Sequence, residues 1–180
     1  MKKLISLVLV TVLVLSLATA FATVPSKTTT DLAKVIDVET TGEKPADDFA
    51  IVIVEDSEAA KAELEKILEF VKEGNAPAKY FPAGLLPEEA DNFDMNEFVG
   101  IAVLNYKPEY GDVTATLEFG TPYQAGQKVY PVTNIGGEWT AETAEAQEDG
   151  TVKITFTAEE LQKMMESTNM MGVLSAPVAE

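Results

Sequence analysis

The sequence predicts an α+β protein in two parts: a small α/β half of strands plus one amphipathic helix, then an antiparallel β-sandwich-like half with one short helix. Three observations predict it. From Val113 to Phe119, apolar Val113, Ala115, Leu117 and Phe119 alternate with Thr114, Thr116 and Glu118, and the alternation returns in Val152, Ile154 and Phe156. Around and between them, Thr121 to Gly126, Gly136-Gly137 and Asp149-Gly150 are turn signals, each leading into a new strand candidate. Upstream, Ala60, Leu64, Ile67, Leu68 and Val71 recur at the spacing of one helical face, with Lys61, Glu65, Glu69 and Lys72 opposite.

Taken in order, the chain opens with Lys2, Lys3, an apolar run from Leu4 to Leu17 and small residues ending at Ala22, the pattern of a cleaved secretory signal. The run is shorter than the roughly 20 apolar residues of a spanning helix. Residues 1–22 are therefore expected as a signal peptide and 23–30, polar and Thr-rich, as a flexible segment. Lys34 to Val38 is a strand candidate, and Gly42 to Asp48 turns the chain. The continuous run Ala50-Ile51-Val52-Ile53-Val54 suits a strand covered on both faces, at the centre of a small sheet.

Asp56 or Ser57 caps the helix, which must pack on the sheet containing Ile51 and Ile53 and stops at Gly74. Tyr80-Phe81 is expected as a short strand, closing an α/β domain over 31–82. Pro82, Gly84, Pro87 and five acids then mark an acidic linker, 83–97. The remaining 98–177 form the β-sandwich-like domain. It starts with the apolar Phe98 to Leu104 and places the Val129 to Val132 strand at an edge because of Pro131. Thr157 and Glu160 form a capping box for a helix with Leu161, Met164 and Met165 on its apolar face, and Met171 to Ser175 is the last strand.

A second group of features carries a resemblance. Tyr110-Gly111-Asp112-Val113-Thr114, Phe119-Gly120-Thr121-Pro122-Tyr123, Gly126-Gln127-Lys128-Val129, Trp139 and Asp149-Gly150-Thr151-Val152-Lys153-Ile154-Thr155-Phe156 together resemble an uncharacterised module of secreted and surface proteins of Gram-positive gut anaerobes. The span, about Asn96 to Ala176, matches a small immunoglobulin-like sandwich. The resemblance implies a location and an immunoglobulin-like architecture; it brings no site residues.

Composition narrows the chemistry. With 180 residues the chain can bury a core without staples, and it has no Cys, so disulfides, thiolate chemistry and a lipobox anchor are excluded. All 13 basic residues are Lys against 30 acids, a net charge of -17, or -19 once Lys2 and Lys3 leave with the signal. Such a surface repels nucleic acid and anionic membrane and keeps the protein soluble. Free secretion into the extracellular space is the expected location, with cell-surface association left open.

His and Cys being absent, the usual triads are excluded, and Asp47-Asp48, Glu88-Glu89 and Glu148-Asp149 read as solvated loop charge. No catalytic residue is assigned, and the chain is expected not to be an enzyme. Calcium is the one metal the composition suits, with Asp91, Asp94, Asn96 and Glu97 as candidate ligands. An EF-hand register starting at Asp94 fails, because positions five and six are Phe98 and Val99. An acidic linker without metal is the competing reading. Trp139 with Tyr106, Tyr110, Tyr123 and Tyr130 could form a sugar-binding platform, although a lone Trp in a sandwich is more often core. Met164, Met165, Met170 and Met171 read as core filler rather than a groove. The functional expectation is an exported, non-enzymatic binding or structural module with a protein or glycan partner of unknown identity. The alternative is a carbohydrate-binding module built on Trp139.

Overall fold

The computed structural model describes residues 33–120 and 122–177. The expected signal and flexible segment, 1–22 and 23–30, lie outside the described residues. Those described build an α+β, sandwich-like protein of two antiparallel sheets and two helices. β1 (Lys34–Thr40), β4 (Val113–Glu118) and β8 (Val152–Phe156) form the smaller sheet in the order β1-β4-β8. β2 (Ala50–Val54), β3 (Asp94–Leu104), β9 (Asn169–Ser175), β5 (Lys128–Ile135) and β6 (Glu138–Ala141) form the larger in that order, with β7 (Ala144–Glu145) also on β5.

The strand alternation explains the layers. Inward residues Val113, Ala115 and Leu117 of β4 and Val152, Ile154 and Phe156 of β8 meet Val99, Ile101 and Val103 of β3 and Met171 and Val173 of β9, in one core between the sheets. Leu117, Ile154 and Met171 are almost fully buried, each contributing about 1.5–3 kcal/mol of transfer free energy. On the far face of the larger sheet, Phe98, Tyr130, Val132 and Leu174 meet a second core with Ile67, Phe81, Ala90 and Phe93. The order of layers is small sheet, large sheet, then helix and turns.

Helix α1 (Glu58–Lys72) belongs to that outer layer. Ser57, one of the two cap candidates in the sequence, accepts the Ala60 N–H on its Oγ at 3.3 Å, and the helix lies on the sheet that holds Ile51 and Ile53. It uses the opposite face of that sheet, seating Ser57 directly over Gly100 of β3, where an added Cβ would lie 2.5 Å from Ser57 Cβ. Helix α2 (Ala158–Glu166) has the expected capping box, with Leu161 and Met164 in the inter-sheet core. Met165 is exposed, so it does not fill core as expected.

Three strand expectations are corrected. Tyr80-Phe81 is no strand: Pro77–Tyr80 is a 3-10 turn held by the Tyr80 ring against Phe70 and its hydroxyl on Glu63 at 2.6 Å. The strand carrying Pro131 is not at an edge, since β5 runs between β9 and β6. Pro131 is tolerated because β7 pairs only with Lys128 and Val129 and β6 only from Val132 onward, leaving a gap in the ladder where no N–H is required. Lastly, Ala50 to Val54 is an outermost strand rather than a central one; only Ile51 is buried, and Val54 is exposed.

The segment 83–97 does not separate two sheet systems. Its last four residues already belong to β3, which pairs with β2 on one side and β9 on the other, while β1 pairs with β4. Both sheets draw strands from either side of the expected linker.

Candidate functional site

The aromatic candidates do not share a face. Tyr106 and Tyr110 pack on Phe49 in the inter-sheet core; Tyr106 donates its hydroxyl to Gly111 O at 2.8 Å, and Tyr110 Oη accepts the Ala46 N–H at 3.2 Å. Tyr130 lies in the outer core against Phe93 and donates to Glu89, whose carboxylate also meets Lys128 at 2.8 Å. Trp139 is half-buried, its indole 5.0 Å from the Phe81 ring and 6.3 Å from that of Phe98. Tyr106, Tyr110 and Tyr123 belong to the inter-sheet core and Tyr130 and Trp139 to the outer one, so the five do not make the sugar platform that the sequence allowed.

The calcium candidates also disperse. Asp91 pairs with Lys79 at 3.1 Å, Asn96 donates to Ser175, and Asp94 is exposed at the start of β3. A register shift between Met95 and Glu97 further breaks the alternation that would align them. Among the described residues no group of three or more acidic side chains is placed to hold a metal ion. Asn96 and Glu97 instead border Tyr123. Burial first, then the Glu97 carboxylate, push the Tyr123 phenol up, while the Asn96 amide acts on it the other way without reaching hydrogen-bond geometry. Its Oη is buried and unbonded among the described residues.

An open cleft of about 310 Å³ is lined by Lys34, Glu118, Phe119 and the Asp149-Gly150 turn. Asp149 is committed there to the turn: its carboxylate accepts the Thr151 N–H at 3.0 Å and the Thr151 hydroxyl at 2.7 Å, bonds that hold it below the usual carboxylate range. One carboxyl group does sit near neutrality. Burial raises Glu142 to about 7, with Glu160 adding to the effect and the Thr155 N–H, 3.1 Å away, opposing it.

Glu142 explains how one sheet edge is closed. Its carboxylate takes the N–H of Thr155 in β8, and Gln147 N–H bonds Thr151 O at 2.8 Å beside it. The other margins are blunted differently: β1 carries Lys34, Asp37 and Glu39 and a register shift after Val35, and β6 is four residues long. β2 has none of these devices. It pairs with β3 in regular register over all five residues, contains no charge and no Pro, and no described strand pairs with its outer side. Strand β1 comes near it without pairing.

The sheet face beside β2 is apolar as well. Val52, Val54, Ala102 and Leu104 lie on the helix-side face, but α1 packs chiefly on β3 and β9, leaving Val54 38% and Leu104 47% exposed. An unpaired ladder edge flanked by apolar surface offers backbone hydrogen bonds and side-chain contact together, the two components of strand addition. The sequence reading missed this surface because five apolar residues in a row read as doubly covered. The legible signal was at the run's ends, where Asp47, Asp48, Glu55 and Asp56 are all exposed.

Among the described residues, fold and surface define a two-sheet antiparallel protein with a helical outer layer and, at β2, an open strand edge. No family model, curated protein or solved structure matches the chain. Among the described residues, no helix is long and apolar enough to cross a membrane.

Proposed function

We propose that this is an exported, non-enzymatic binding module that holds a protein partner by strand addition at β2. The observation that carries it is the regular, uncharged outer edge of Ala50–Val54 beside exposed Val54 and Leu104. About half of the backbone polar groups of a five-residue edge strand point outward. At about 1 kcal/mol net for each hydrogen bond made, the backbone alone supports only weak, roughly millimolar binding. Side-chain contacts must therefore select the partner.

Export rests on the Lys2-Lys3 and Leu4 to Ala22 pattern, and the acidic composition supports a partner other than nucleic acid. An immunoglobulin-like character belongs to the same proposal; its support is the pair of antiparallel sheets facing each other across one core.

The test compares binding of the exported, processed protein to envelopes of the producing cells. Val54→Lys places a charge on the edge and should weaken binding at least about tenfold, whereas Glu142→Gln, at the closed edge, should bind as wild type. Equal binding by Val54→Lys would contradict the reading. So would turnover of a polymer substrate abolished by a single carboxylate substitution.

A further inference from the structure

We infer that the strand received at β2 is an extended segment of another protein, apolar on alternate residues and bracketed at both ends by Lys or Arg. The inference rests on the binding role proposed for β2 and adds the partner's chemistry. Asp47 and Asp48 precede the strand, Glu55 and Asp56 follow it, and all four are exposed. Lys61 reaches Asp56 and Glu58, each at 3.2 Å, and leaves Asp47, Asp48 and Glu55 without an ion pair among those the described residues form.

Those acids discriminate between occupants. A second copy adding antiparallel across β2 would set residue 50 opposite residue 54, and so Asp48 of each copy opposite Asp56 of the other, at both ends. On a chain of net charge -17, that arrangement gathers like charge where two strands meet. A strand with basic ends meets carboxylates at the same places, whichever direction it runs. Its apolar residues on one face extend the surface of Val52 and Val54, and attraction between exposed charges weakens as salt rises.

The probes are three synthetic peptides: valine alternating with threonine between two lysines at each end, the same peptide with glutamate for lysine, and the lysine peptide with proline at its centre. Binding to the nitrogen-15-labelled processed protein is read by amide shifts, and affinity by fluorescence anisotropy. The lysine peptide should shift the Ala50–Val54 amides and bind at least about tenfold more tightly than the other two. In the doubly substituted D48K/E55K protein, whose changes are both on exposed side chains, the preference should move to the glutamate peptide.

If both strand-forming peptides bind at Ala50–Val54 with equal affinity, the charge inference fails and the edge reading stands. Equal binding of the proline peptide would mean bulk charge attraction and would overturn it. A concentration-dependent dimer that Val54→Lys abolishes would give the edge to a second copy, overturning the basic partner alone. A monomer showing no shifts at Ala50–Val54 with any peptide would remove both readings.

Discussion

Strands β2 and β8 are both outermost, and the chain treats their free sides in opposite ways. At β8, a carboxylate from the loop after β6 accepts the Thr155 N–H, and Gln147 engages Thr151 O. At β2, the outer side has no partner among the described strands, and the residues on it are apolar. Closing the β8 edge places the half-buried Glu142 carboxyl beside Glu160, at an electrostatic cost visible in its pKa of about 7. A cost borne at one margin, beside an edge left open among the described strands at another, is the contrast that supports the docking role proposed for β2.

The largest change in stability is expected beside β2. Gly100→Ala would drive a Cβ to 2.5 Å from Ser57 Cβ and 3.0 Å from Val54 Cβ, lifting the start of α1 and disturbing the β2–β3 pair. A loss of about 2 kcal/mol is expected, read from the urea midpoint. An unchanged midpoint would mean that Ser57 is not seated over Gly100 of β3.

On the closed side, Glu142 should make stability depend on pH. Its folded pKa is raised from 4.5 to about 7, so the native state holds the proton where the unfolded chain releases it. The stability this contributes is fully present below 4.5 and is lost as pH rises through 7. Allowing for solvent screening at a half-buried position, wild type should lose about 1–2 kcal/mol relative to Glu142→Gln between pH 4.5 and 8. The glutamine oxygen still accepts the Thr155 N–H, so parallel pH curves for the two proteins would remove the cost assigned to closing this edge.

A smaller effect is expected at Tyr123, which packs on Phe119. Its buried hydroxyl has no hydrogen bond among the described residues, so Tyr123→Phe should stabilise the protein by about 1 kcal/mol. A loss of stability would reveal a partner for Oη. Val54→Lys should change stability least, within about 0.5 kcal/mol at this exposed position. It acts on binding instead.

What could be read from the sequence was local chemistry. Asp56-Ser57 and the Thr157–Glu160 box announced both helix starts, and Gly136-Gly137, with φ of 60° and 97°, announced the β5–β6 hairpin. Strand neighbours were not legible. Val113 to Glu118 alternates plainly, yet nothing local says that it pairs with β1, more than seventy residues upstream in register at Thr40 and Val113. Pro131 misled because the gap it occupies is made by where β6 and β7 stop, a property of other segments. The aromatic and acidic candidates were chosen by residue type, and their roles were set by layers no local pattern encodes. Glu142 had no signal at all, since its near-neutral pKa follows from the fold burying it, with Glu160 adding to the effect.

Amide hydrogen exchange of the free protein tests the difference between the two edges most directly. The Thr155 amide, bonded to Glu142, should exchange slowly, while the amides of Ala50–Val54 that face away from β3 exchange rapidly, in alternation with their protected neighbours. Uniform protection across Ala50–Val54, equal to that of Thr155, would show the β2 edge already covered and would contradict an open docking strand.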